Sequence, residues 1–125
     1  MKKILKPNKK AVIYEDEKLY ICLADFPIVK GHTIVFWKKR VSDLHLLNKK
    51  DYEYLMYKVD LARNALLKTL KLKKVYLMYM DEMNQVHWHL IPRYNQKGYD
   101  IFKHNPIKLN DFSLVPKIRD NFKKF

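Results

Sequence analysis

Two histidines separated by a single residue, His87 and His89, lie in the run Gln85-Val86-His87-Trp88-His89-Leu90-Ile91-Pro92-Arg93, where polar side chains alternate with large apolar ones. Successive side chains of a β-strand point to opposite faces, so Val86, Trp88 and Leu90 are expected in a core while Gln85, His87 and His89 project together. An imidazole titrates near neutral pH and can act as nucleophile, general acid or base, or metal ligand, so two on one rigid face make a chemical surface. The pair alone is not specific. With five histidines in 125 residues, about 0.2 His-x-His pairs arise by chance, and the flanking residues must carry the rest of the argument.

The elements that would hold this surface can be read from period and punctuation. Residues 11–14 and 18–24 are β-rich runs around Glu15-Asp16-Glu17, which predicts a hairpin. A third strand runs from His32 to Trp37, delivered by a loop that Pro27 and Gly31 bracket. Asn48 reads as a helix N-cap with Asp51 three residues on, and Leu55, Met56, Val59, Ala62, Leu66, Leu67 and Leu70 then recur at helical spacing. Residues 74–81 form a fourth strand, which Glu82-Met83-Asn84 returns antiparallel to the histidine strand. Beyond Arg93 come loops at residues 95–98 and 105–106 and a short helix after Ser113. The class predicted is α+β: a mostly antiparallel five-stranded sheet with one long helix and a short C-terminal helix. Residues 1–10 read as a basic, poorly ordered arm and residues 11–125 as a single domain.

Composition narrows the function. Cys22 is the only cysteine and sits in an apolar run, so it reads as a buried, reduced thiol and not as part of a disulfide or Cys-x-x-Cys metal site. No apolar stretch marks a signal peptide or a membrane span, and a cytoplasmic protein without a membrane partner is expected. The net charge of +13 attracts polyanions, although scattered lysines also serve simply as a solvated face.

The histidine run resembles the signature of the histidine-triad (HIT) superfamily of nucleotide hydrolases and transferases, His-φ-His-φ-His-φ-φ with φ apolar, followed by Pro-Arg. The second and third histidines, every φ position and Pro92-Arg93 match, while Gln85 stands where the first histidine is expected. A second match lies in Pro27-Ile28-Val29-Lys30-Gly31-His32-Thr33-Ile34-Val35, similar to the family's Pro-x-x-x-Gly-His segment, and roughly residues 11–94 fit in order. The resemblance implies a half-barrel sheet, a homodimer and a nucleotide substrate. It also implies roles: His87 as the nucleophile on the α-phosphorus, His89 as donor to the phosphate oxygens, and His32 as the neighbour that arranges them. Gln85 would hold geometry without proton transfer. Leu23, Phe26, Ile28 and Trp37 would surround the base, and Asp25 stands near the ribose position. Arg93 could meet phosphate or brace the fold. The reaction implied is cleavage of the α-phosphate linkage of a purine nucleotide, such as a dinucleoside polyphosphate or nucleoside phosphoramidate. No cofactor is required at the histidines, although a divalent cation could arrive on the substrate phosphates.

Three other readings compete. His32, His87 and His89 could bind zinc, a set that lacks an assured carboxylate or cysteine partner. Charge with nine tyrosines could mark a nucleic-acid-binding module, less favoured because the aromatics follow strand and helix periods. Gln85 could also mark a nucleotide-binding HIT protein that has lost catalysis.

Overall fold

The computed structural model describes residues 6–103 and 105–122. Strands β1 (Val12–Glu15), β2 (Leu19–Leu23), β3 (Thr33–Trp37), β4 (Val75–Met78) and β5 (His87–Pro92) form one antiparallel sheet in the order β1-β2-β3-β5-β4. Helix α1 (Lys49–Leu70) carries the chain from β3 to the far edge, so that β5 returns between β3 and β4. Helix α2 (Leu114–Phe122) packs on α1 and β1.

Local chemistry explains the turns. The Asp16 carboxylate accepts from the backbone N–H groups of Lys18 (2.8 Å) and Leu19 (3.0 Å), closing the first hairpin, and the Tyr14 and Tyr54 hydroxyls donate to its other oxygen. Asn48 caps α1 by accepting from the Asp51 N–H at 2.8 Å. At the other end Lys71 adopts φ 55°, and the Leu72 N–H closes onto Leu67 C=O. Leu55, Val59, Ala62, Ala65 and Leu66 of α1 are buried in the core. Arg119 ties α2 to β1 by donating to Ile13 and Val12 C=O.

Register assigns the two faces of the sheet. Val35 lies opposite Ile21 and Trp88, whereas Ile34 pairs with Cys22 and His89, and Phe36 pairs with His87. Residues directly opposite share a face, so Ile21, Val35, Trp88 and Leu90 stand on one side and Cys22, Ile34, Phe36, His87 and His89 on the other.

Gly31 sets the entry into β3. Its φ is +88°, and a Cβ there would lie 2.9 Å from Leu70 Cδ1 and 3.3 Å from Pro92 Cγ. Gly31→Ala is therefore expected to cost about 1–2 kcal/mol through left-handed strain and crowding against α1. Thermal unfolding of the variant checks this, and an unchanged Tm would show that the loop relaxes freely.

Three expectations need correction. The histidine strand begins at His87, not Gln85, because Asp81 Oδ1 accepts from the Met83 N–H at 2.8 Å and Asn84 takes φ 57°, folding residues 81–84 into a turn. The fourth strand correspondingly ends at Met78. Residues 8–10 are not part of a poorly ordered arm: Asn8 caps the 3-10 turn Lys9–Ala11, whose Ala11 is fully buried. Residues 1–5 of that arm lie outside the described residues.

Candidate active site

On the histidine face of the sheet lies a cavity of about 370 Å³, toward the lower end of the roughly 300–1,000 Å³ of small-molecule sites. Cys22, Ile34 and Phe36 line its floor with His87 and His89, as the register requires, and His32 joins them from the start of β3. Asp25 and Phe26, on the loop after β2, form one rim; Phe26 is 52% exposed. Leu23, Ala24, Lys6, Pro7 and Met83 complete the lining.

Hydrogen bonds fix the tautomers of all three rings. The Ile28 N–H donates to His32 Nδ1 at 3.1 Å, so the neutral ring carries its proton on Nε2. That nitrogen lies 3.0 Å from His89 Nδ1, which must accept, leaving His89 with its proton on Nε2. His87 Nδ1 lies 2.8 Å from the Gln85 carbonyl. A carbonyl can only accept, so Nδ1 carries the proton and the lone pair is on Nε2. The His87 and His89 rings meet edge to face with centroids 5.0 Å apart. The cavity wall thus offers a nitrogen lone pair next to an N–H donor.

Burial, and secondarily the neighbouring His87, pulls the pKa of His89 down to about 4. At neutral pH it is therefore a neutral donor and not a standing cation. An unfolded-state histidine takes up its proton near 6.5, so between pH 6.5 and 4 the unfolded chain binds more protons than the folded one. The contribution is intact above pH 6.5 and stability falls as pH drops through that window. Discounted for partial exposure, the loss is of order 1–2 kcal/mol. Urea unfolding at pH 7 and pH 4.5 should show His89→Gln less acid-sensitive than wild type by that amount. Equal sensitivity would place the titration elsewhere.

The HIT domain family model matches residues 6–96, most of the chain. The chain belongs to the HIT domain family. Among solved structures, this HIT domain is similar to a hypothetical histidine triad nucleotide-binding protein from Sulfolobus tokodaii strain 7, at 25% identity, TM-score 0.75, and coverage of 91% of this chain and 84% of that one. A Hit-like protein involved in cell-cycle regulation from Bartonella henselae matches at 21% identity and TM-score 0.76, covering 89% and 85% of the two chains. Diadenosine triphosphate hydrolase from Plasmodium falciparum shares the fold at 13% identity and TM-score 0.67, with 98% and 82% covered. No curated protein matches the chain.

Not every residue singled out in the sequence of this HIT domain reaches the cavity. His32, His87, His89, Asp25, Phe26 and Leu23 line it. Gln85 does not: it is fully buried, and its side-chain amide donates to Trp37 C=O at 2.8 Å. Arg93 is also elsewhere, its backbone N–H on Lys74 C=O and its guanidinium on the Tyr76 hydroxyl at 3.0 Å, bracing β4. Trp37 shares the Val35 face and is buried there, and Ile28 serves through its backbone N–H. Lys6, Pro7, Cys22, Ala24, Ile34, Phe36 and Met83 were missed as lining residues. Burial, then the charge of Asp25, pushes the Cys22 thiol up to about 12, so it is a wall and not a nucleophile. His32 Nε2 and His89 Nδ1 are engaged with each other, and no group of three His, Cys, Asp or Glu side chains among the described residues is arranged to hold a metal ion.

Proposed function

We propose that this HIT domain cleaves the α-phosphate linkage of a nucleotide in two steps through a nucleotidyl-histidine on His87. The observation that supports it most is the tautomer arrangement: a Gln85 carbonyl that leaves the His87 lone pair on Nε2, beside a His89 kept neutral with Nε2–H to donate. In the first step His87 Nε2 attacks the α-phosphorus. The bond from phosphorus to the leaving group breaks, and that group departs with the bonding pair and takes any proton it needs from water. Water then attacks the phosphorus, the nitrogen–phosphorus pair returns to His87, and a proton is released to solvent. His89 stabilises the charge that builds on the phosphate oxygens at each step.

The substrates proposed are purine nucleotides such as dinucleoside polyphosphates or nucleoside phosphoramidates. Phe26 offers an exposed ring at the rim for a base, and the Asp25 carboxylate stands next to it for a ribose hydroxyl. The net charge of +13 steers polyphosphates toward the site. No cofactor enters at the histidines in this scheme; a divalent cation would travel with the substrate phosphates. We place a homodimer at β4, an edge of the sheet that leaves Leu77 and Met80 exposed, to be checked by light scattering. No helix of the described residues is long and apolar enough to cross a membrane.

A panel of adenylated and guanylated substrates with phosphate, nucleotide and amine leaving groups, with product identification, tests this reading. The expected result is release of nucleoside monophosphate from at least one, with the nucleotidyl group mapped to His87 after an alkaline quench. Nucleotide binding with no product from any of them would favour a HIT protein without catalysis.

A further inference from the structure

The turn between β4 and β5 buries an acid that the mechanism above does not use. The Asp81 side chain is 1% exposed, and its Oδ1 lies 3.8 Å from His87 Nδ1. That oxygen accepts the Met83 and Gln85 backbone N–H groups at 2.8 and 3.4 Å, whereas Oδ2 is buried with no hydrogen-bond partner among the described residues. Turn formation accounts for Oδ1 and leaves Oδ2 unexplained. An unpaired buried carboxylate oxygen is costly, and such a cost in a site calls for a second role.

His87 supplies one. At rest it is held with the proton on Nδ1, and once Nε2 bonds to an incoming electrophilic centre the ring is a cation that keeps the Nδ1 proton. That proton points toward the Gln85 carbonyl at 2.8 Å, and Asp81 Oδ1 lies 3.8 Å from the same nitrogen. A fixed negative charge close to a buried, developing positive one favours the charged form and lowers the barrier to reaching it. We propose that Asp81 is a positioning residue whose carboxylate balances the charge His87 acquires when it becomes nucleotidylated, making the His87 nitrogen a better nucleophile. The inference rests on the reading of His87 as nucleophile. It adds a residue outside the histidine motif, six positions before the nucleophile and brought to it only by the Asp81–Asn84 turn.

Asp81→Asn isolates the charge, because the amide oxygen can still accept the two backbone N–H groups. Asp81→Ser, which keeps a short turn acceptor, serves if the asparagine variant fails to fold. Two rates are compared with wild type. The first is single-turnover nucleotidylation of His87 with whichever panel substrate reacts, expected to fall roughly 10- to 100-fold while KM stays within about threefold. The second needs no nucleotide: carbethoxylation of His87 by diethyl pyrocarbonate, followed by peptide mass mapping, with the exposed His45 as internal reference. There the His87 Nε2 pair attacks the anhydride carbonyl and ethyl carbonate leaves, so positive charge again builds on the ring. This rate is expected to fall about fivefold or more while His45 is unchanged. A His87 carbethoxylation rate within twofold of wild type overturns the proposal, whatever turnover does. If wild-type protein turns over no panel substrate, the nucleotidyl-transfer reading fails and the carbethoxylation rates alone decide the role of Asp81.

Discussion

His87→Ala is expected to abolish release of nucleoside monophosphate, by roughly 10⁴-fold or more, while nucleotide affinity stays within a few-fold. The substitution removes the Nε2 lone pair, and no neighbour among the described residues can replace it. His89 carries its proton on Nε2, has its Nδ1 occupied by His32, and stands with its ring centroid 5.0 Å away. The Cys22 thiol, with its pKa raised to about 12, is protonated at working pH. Affinity is less affected because the cavity is mostly lined by other groups, including Phe26, Ile34, Phe36 and the intact His89. The His87 ring is nearly buried, so the alanine variant should first be shown to unfold cooperatively. A His87→Gly variant separates chemistry from folding further, since added imidazole should restore part of the rate by entering the vacated space. Turnover close to wild type in either variant without imidazole would refute covalent catalysis at this residue.

Much of the site was legible because it depends on local rules. Strand alternation places His87 and His89 on one face, as β5 does, and Val86 among the core residues, where it is fully buried just ahead of that strand. The Asn48–Asp51 cap and the apolar spacing after it locate α1 to within a residue. His32 was tied to the pair only by the likeness of its Gly31-His32 segment to the family's; the 3.0 Å contact to His89 comes from the pairing of β3 with β5. What was not legible depends on register and on turns. Trp37 was expected near the base, yet parity with Val35 turns it away, and the face is carried instead by Ile34 and Phe36. That parity becomes decisive only once Ile34 is known to lie opposite His89. Arg93 follows the strand in sequence but is drawn to Tyr76 on β4. Lys6, Met83 and Asp81 reach the site from an N-terminal segment and a tight turn, where no periodicity marks a partner.

Gln85 is where the two views differ most, and its substitution is the second large effect expected. Had it projected beside the histidines, Gln85→His would be expected to keep or raise turnover by restoring the triad. Its amide instead lies in the core and donates to Trp37 C=O, with Lys38 C=O at 3.5 Å, so it joins the end of β3 to the start of β5. Gln85→Leu removes that donor while leaving its buried acceptor in place, and is expected to cost about 2–3 kcal/mol in urea unfolding at pH 7. Gln85→His retains an N–H for Trp37 and does not line the cavity, so kcat/KM should remain within about threefold of wild type from pH 5 to 9. The group at this position that acts on His87 is the backbone carbonyl, 2.8 Å from its Nδ1, and every residue type supplies one. A glutamine at the first position of the motif therefore leaves the His87 tautomer unaltered. A leucine variant as stable as wild type would show that the amide is not holding the strand ends. A histidine variant tenfold or more slower across that pH range would show that the side chain at this position acts in the chemistry.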